Sequence, residues 1–187
     1  NPRRALALAE RAVALTRRRA YLCLQVLGTA LERTGQPQAA IAALREALAL
    51  PEAVHSWTTE DRLVALLRDH APPEEVENVL LERVGRIRAL RGDREPIAGK
   101  TLRSLALHYE RQGRLDEAEE RFVEAAAQFR KTKPGSDWEV GRVKSELGGL
   151  QTARGAYARA EPLLVEGYEA VTGDVRTNKA VVAKARE

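Results

Sequence analysis

The stretch LGTALERTGQPQAAIAALREALALP, residues 27 to 51, predicts a pair of helices joined by a tight turn. Its large apolar residues recur at steps of three and four, which gives a helix one apolar face: Leu27, Leu31, Ile41, Leu44 and Leu48. Gly35 stands between the two apolar segments, where a helix end favours a residue that adopts a left-handed conformation. Pro51 ends the second segment, because proline cannot continue a helix.

The same design recurs along the chain at an interval of 42 residues. LALHYERQGRLDEAEERFVEAAAQF occupies residues 105 to 129, and LGGLQTARGAYARAEPLLVEGYEAV occupies residues 147 to 171. The interval relates one set of leucines and one set of turn residues: Leu63, Leu105 and Leu147, then Ala71, Gly113 and Gly155. Because one helix pair cannot bury its apolar face alone, we expect stacked pairs that share a core.

The small, large and turn positions of these units resemble the tetratricopeptide repeat family. Three units fill the pattern: Leu27, Gly28, Leu31, Gly35, Ala40, Leu44 and Ala47; Leu105, Ala106, Tyr109, Gly113, Ala118, Phe122 and Ala125; Leu147, Gly148, Gln151, Gly155, Ala160, Leu164 and Gly167. Gln151 departs from the usual aromatic residue. The 42-residue interval exceeds the family's usual length of about 34 and looks like the kinesin-light-chain-type subclass. The resemblance implies an all-α, right-handed solenoid of antiparallel helix pairs.

The repeat pattern predicts a single solenoid over residues 1–187. It is divided into a second helix of a truncated repeat (1–19), a repeat (20–51), a degenerate repeat (56–91), two further repeats (98–131 and 136–172) and the first helix of a truncated repeat (174–187). In the degenerate repeat, bulkier residues replace the small ones: Val64, Val76 and Arg83. We expect this helix pair to be pushed apart, with its second helix starting near Pro72 or Pro73.

GDREPIAGKT, residues 92 to 101, ends like a phosphate-binding loop. That loop follows a strand and has four residues between its glycines, so that backbone N–H groups wrap the phosphates. Here six residues separate Gly92 from Gly99, and the preceding LERVGRIRAL has helical character. We interpret the stretch as a linker between repeats and the start of a helix, not as a nucleotide site.

Nothing in the sequence predicts catalysis, a metal or a cofactor. The three histidines, His55, His70 and His108, lack the spacing of a metal site, and no nucleophile and base set is recognisable. We interpret the single cysteine, Cys23, as a buried structural thiol. The chain also lacks an 18-residue apolar run, so we expect no membrane insertion. No small-molecule substrate is predicted.

The resemblance implies that a partner binds in a concave groove lined by the first helix of each pair. Outward positions on those helices predict the contact residues: Gln25, Thr29, Arg62, Arg68, Lys100, Arg103, Leu107, Arg142 and Ser145. Cations modestly outnumber acids on this face, which favours an acidic peptide with apolar anchors. The family's carboxylate clamp needs an asparagine that is replaced here by Thr29, Ala65, Leu107 or Gly149. We therefore do not expect binding of chaperone C-termini.

The predicted function is a non-catalytic scaffold that binds a peptide segment or a neighbouring domain. AEPLLVEGYEAVTG, residues 160 to 173, resembles the repeat tails of large bacterial serine/threonine protein kinases, which implies a signalling parent. Two alternatives stay open: a nucleic-acid-binding helical repeat, motivated by the arginine content and net charge of +4, and the sensor region of a bacterial transcription regulator.

Two further expectations concern the protein's surroundings. Apolar faces on the terminal helices predict weak self-association through those helices. A cytoplasmic location is expected, and an extracytoplasmic part of a membrane-anchored parent is the alternative.

Overall fold

The computed structural model describes residues 1–53, 56–91, 95–132 and 137–173, and every regular element in these ranges is helical. The helices are α1 (Pro2–Leu15), α2 (Tyr21–Arg33), α3 (Pro37–Leu48), α4 (Trp57–His70), α5 (Pro73–Arg91), α6 (Pro96–Arg111), α7 (Leu115–Thr132), α8 (Asp137–Ala153) and α9 (Tyr157–Gly173). A single 3₁₀ turn, Pro51–Ala53, lies between α3 and α4. The predicted all-α fold is confirmed.

The chain divides into two units, Asn1–Val79 and Leu80–Glu187, with the boundary inside α5. In the first unit α2 packs against α1 and α3, and α3 also packs against α4. In the second unit α6 packs against α7, α7 against α8, and α8 against α9. Within each unit, these helices therefore pack against their neighbours in the sequence. The division of residues 1–187 into named repeats stays a prediction, and residues 174–187 lie outside the described part of the chain.

Three helix pairs are joined by the same glycine turn. Gly35, Gly113 and Gly155 have φ angles of 76°, 72° and 73°, in the left-handed region that glycine adopts without strain. After the first of them, the backbone N–H of Gln36 donates to the carbonyl of Leu31 at 3.0 Å, which closes the helix end. The same closure follows the other two glycines. The turns predicted at these positions are confirmed.

The degenerate repeat turns in a different way. Ala71 is extended, with φ −138° and ψ 163°, and α5 begins at Pro73, where the first helical turn tolerates a missing N–H. The predicted start of this helix is confirmed. The amide of Gln38 donates to the carbonyl of His70 at 2.9 Å, so the end of α4 is tied to α3. Arg83 on α5 is buried, and the predicted widening of this helix pair stays a prediction.

The stretch that ends in Gly-Lys-Thr forms the beginning of α6, which starts at Pro96. Gly99 faces the ring of Phe129, because a Cβ added there would lie 3.0 Å from three ring atoms. The hydroxyl of Thr101 donates to the carbonyl of Ile97 at 2.8 Å, within the helix. Residues 96–101 of the stretch are therefore helical, which confirms the predicted helix start, and Gly99 serves packing. Residues 92–94 lie outside the described ranges.

Small residues allow the helices of a pair to cross closely. A Cβ added at Gly28 would lie 2.7 Å from the side chain of Leu44 on the paired helix. On α8 and α9 two glycines face each other: a Cβ at Gly141 would lie 2.9 Å from the carbonyl oxygen of Gly167, and one at Gly167 would lie 2.8 Å from that of Gly141. A backbone atom cannot move aside as a flexible side chain can. The α8–α9 crossing therefore requires glycine.

We predict opposite effects for alanine at two glycines of α8. Gly141→Ala should lower the free energy of unfolding by about 1–3 kcal/mol, because the new methyl group overpacks the crossing. Gly149→Ala should raise it by roughly 0.5–1 kcal/mol, since a Cβ at Gly149 meets nothing within 4 Å and alanine favours the helix. Urea unfolding followed by circular dichroism measures both. Equal effects of the two variants would contradict the close crossing.

Candidate peptide-binding surface

The predicted contact residues lie on the first helix of each pair, in both units. They are Gln25 and Thr29 on α2, Arg62 and Arg68 on α4, Lys100, Arg103 and Leu107 on α6, and Arg142 and Ser145 on α8. The first unit thus contributes α2 and α4, and the second contributes α6 and α8. Each unit presents its own set of side chains.

In the first unit, hydrogen bonds join α2 to α4. The amide of Gln25 donates to the hydroxyl oxygen of Thr59 at 2.8 Å, and the hydroxyl of Tyr21 shares a hydrogen bond with the same oxygen at 2.5 Å. Arg62 donates to the hydroxyl of Thr29 and lies 3.5 Å from a carboxylate oxygen of Glu32. Three predicted residues, Gln25, Thr29 and Arg62, are therefore brought into one cluster. The sequence did not reveal Thr59, which is almost completely buried.

In the second unit, an ion pair joins α6 to α8. Nε of Arg103 donates to one carboxylate oxygen of Glu146 at 2.7 Å, and Nη2 donates to the other oxygen. The two side chains are only 21% and 20% exposed, so water screens this pair less than a surface pair. A two-pronged pair also fixes the relative orientation of the two groups. Arg103 is consequently held by its own chain.

Arg142 is in a different situation from Arg103. Its guanidinium lies 5.2 Å from the ring of Trp138, in cation–π geometry, and its Nε is buried without a hydrogen-bond partner among the described residues. No carboxylate of the described residues lies within ion-pair distance of it. The pKa of Arg142 is lowered by burial and, to a smaller extent, by the positive charge of Arg103. The charge of Arg142 is therefore without an ion-pair partner among the described residues.

Acidic side chains limit the positive charge of this surface. Burial raises the pKa of Glu110 on α6, and the nearby carboxylate of Glu146 raises it further. Glu139 lies one helical turn before Arg142, is only 3% exposed, and attracts the guanidinium. The first helices of the second unit thus carry acidic as well as basic side chains.

The remaining predicted residues differ in their surroundings. Lys100 is exposed, and Leu107 and Arg68 are partly exposed. Ser145 instead faces α9: its hydroxyl donates to the carbonyl of Gly141 at 3.1 Å, and it lies so close to Gly167 that a methyl group there would clash with it. Because the helix crossing holds Ser145 in place, we leave it out of the binding surface.

Other sites considered in the sequence show no functional grouping in the described part of the chain. His108 is buried, Cys23 is only partly buried, so the expectation of a buried thiol is wrong, and His55 lies outside the described ranges. Among the described residues, no group of three His, Cys, Asp or Glu side chains could hold a metal ion. The described helices include none that is long and apolar enough to cross a membrane.

The segment that contains the Arg103–Glu146 pair and Arg142 matches a known family. Residues 97–172, from α6 to α9, match the model of the tetratricopeptide repeat. These residues are tetratricopeptide repeats. The glycine turns at Gly113 and Gly155 and the crossing of α8 with α9 lie within this segment.

Solved structures share the fold along almost the whole chain. BtubC (BKLC) from P. vanneervenii has a TM-score of 0.77 at 17% identity, over 98% of this chain and 80% of that one. Kinesin-light-chain TPR-like repeats from Podosopora anserina give 0.72 at 20% identity, over 94% and 90%. MamA gives 0.64 at 18% identity, over 88% and 85%. At these identities the likeness concerns the fold alone. Among curated protein sequences, none matches the chain.

We predict that the Arg103–Glu146 pair stabilises the second unit measurably. Arg103→Met and Glu146→Gln should each lower the free energy of unfolding by about 1–2 kcal/mol, and the double variant by less than their sum, with a coupling near 1 kcal/mol. Arg114 and Glu117 provide a matched control, because their side chains are 38% and 45% exposed. Their coupling should stay below about 0.5 kcal/mol. Equal couplings would contradict the argument from burial.

Proposed function

We propose that this protein is a non-catalytic scaffold that binds a peptide segment or a neighbouring domain on the first helices of its repeats. Two observations support the proposal. Residues 97–172 belong to a repeat family whose fold suits protein–protein interaction, and the first helices carry partly exposed polar and apolar side chains in both units. The most informative of these side chains is Arg142.

Arg142 favours a ligand with an acidic side chain. Its guanidinium is half-buried beside Trp138 and has lost part of its hydration, but no carboxylate of the described residues compensates it within ion-pair distance. A ligand carboxylate would restore hydrogen bonds of the charged, two-pronged kind that arginine makes well. Arg103 is less suited, because a ligand must first compete with Glu146 for it.

Apolar side chains on the same helices provide the second element of recognition. Leu22 and Val26 on α2 are 67% and 54% exposed, and their spacing of four residues places them on one face beside Gln25. On α6, Leu107 is partly exposed. Large exposed aliphatic groups are natural anchors for apolar side chains of a bound segment. We infer a ligand that combines at least one acid with apolar residues.

We do not propose that this protein binds nucleic acid. Several surface arginines of the described residues are paired with the protein's own carboxylates, as in Arg18–Glu46, Arg45–Glu75 and Arg88–Glu124. A nucleic-acid interface needs clustered cations that are available to phosphates. We propose instead a cytoplasmic, bacterial signalling parent, such as a serine/threonine kinase, on the basis of the resemblance of residues 160–173.

The proposal is tested with a library of random peptides displayed on phage and selected on the purified chain. We expect selected peptides to contain Asp or Glu together with apolar residues. Calorimetry should show that Arg142→Gln weakens the binding of a selected peptide about tenfold or more, since a hydrogen bond to a charged group contributes roughly 1.5–3 kcal/mol.

Arg159→Gln is the matched control, because Arg159 is an exposed arginine on a second helix, α9. It should leave the affinity unchanged. If no peptide is enriched, or if Arg159→Gln weakens binding as much as Arg142→Gln does, the first helices are not the binding surface.

A further inference from the structure

The outer face of α1 combines arginines with exposed leucines. Arg4, Leu8, Arg11 and Leu15 follow one another at steps of four, three and four residues, so they lie along one face of the helix. Leu8 and Leu15 are 61% and 76% exposed. The opposite face, with Ala9 and Val13, is buried where α1 packs against α2. We call the four outward residues the α1 stripe.

The outer face of α9 has the same construction with the opposite charge. Its residues follow at steps of four, four and three: Tyr157, Glu161, Val165 and Tyr168. The two tyrosines and the valine are 68%, 38% and 51% exposed, and the exposed Glu169 lies one turn after Val165. The opposite side of the helix is buried where α9 packs against α8. We call these five residues the α9 stripe.

Opposite charges make the α1 stripe complementary to the α9 stripe, whereas two copies of the same stripe repel each other. The helix α1 carries three arginines and one glutamate, whereas α9 carries three glutamates and one arginine. Two α1 stripes would place arginines against arginines, and two α9 stripes would place glutamates against glutamates. An α1 stripe against an α9 stripe pairs opposite charges and also covers apolar side chains on both helices. Each helix is long enough for this contact, at about 21 Å for 14 residues and about 26 Å for 17.

We propose that the α1 stripe of one copy of this protein binds the α9 stripe of a second copy. The two surfaces differ, so the contact is heterologous, with α1 from one copy and α9 from the other. One helix on each side is a small interface, so the association is weak and is weakened further by salt. This self-association is independent of peptide binding on the first helices.

A charge exchange provides the test. One variant carries Arg4→Glu and Arg11→Glu, and the other carries Glu161→Arg and Glu169→Arg. All four residues are exposed, so the fold should persist, which circular dichroism checks. In sedimentation velocity at rising concentration, wild type should show growing species, and each variant alone should stay monomeric. An equimolar mixture of the two variants should associate again, because each acidic stripe then meets a basic one.

Arg3→Glu is the matched control on α1, because Arg3 is exposed but lies off the stripe. It should reduce association far less than Arg11→Glu does. A wild-type protein that stays monomeric at every concentration overturns the proposal, as does a mixture of the two variants that stays monomeric. Association that appears only after deletion of residues 174–187 also overturns it, because α9 would then be covered by the protein's own chain.

Discussion

The structure depends on how closely the two helices of a pair can approach. Where Gly141 faces Gly167, the backbone carbonyl of each helix occupies the space that a side chain on the other would need. The crossings at Gly28 and Gly148 are similar, with a leucine from the second helix filling the space above the glycine. Close crossing leaves little freedom in the rotation of each helix about its axis, because interiors are densely packed. The close crossings therefore determine which side chains of each helix face outward.

The proposed binding surface depends on this constraint. With the rotation of α6 and α8 set, Arg103 and Glu146 come within two-pronged contact, although they are 43 residues apart in the sequence. Arg142, which is partly desolvated and lies beside Trp138, has no such partner among the described residues. The same rotation turns Ser145 toward Gly167. A scaffold of this kind distinguishes ligands through a few such residues, whereas the repeated positions maintain the fold.

Most of the fold could be predicted from the sequence, because it rests on local signals. Glycine at the left-handed turn positions 35, 113 and 155, and proline in the first turn of α5, act through the conformation of one or two residues. The site was predicted less completely. Counting positions along a helix indicates which residues lie on a face, but it does not show that Glu146 prefers Arg103 to Arg142. That preference depends on the distances between helices, and the spacing of residues along the sequence does not give those distances.

The close crossing itself is tested most directly by a double-mutant cycle at Gly148 and Leu164. A Cβ at Gly148 would lie 2.7 Å from Cγ of Leu164. We predict that Gly148→Ala lowers the free energy of unfolding in the wild-type background, and that it lowers it clearly less once Leu164→Ala has removed the obstructing side chain. An equal cost of Gly148→Ala in both backgrounds would contradict the account, because the two helices would then not meet at these residues.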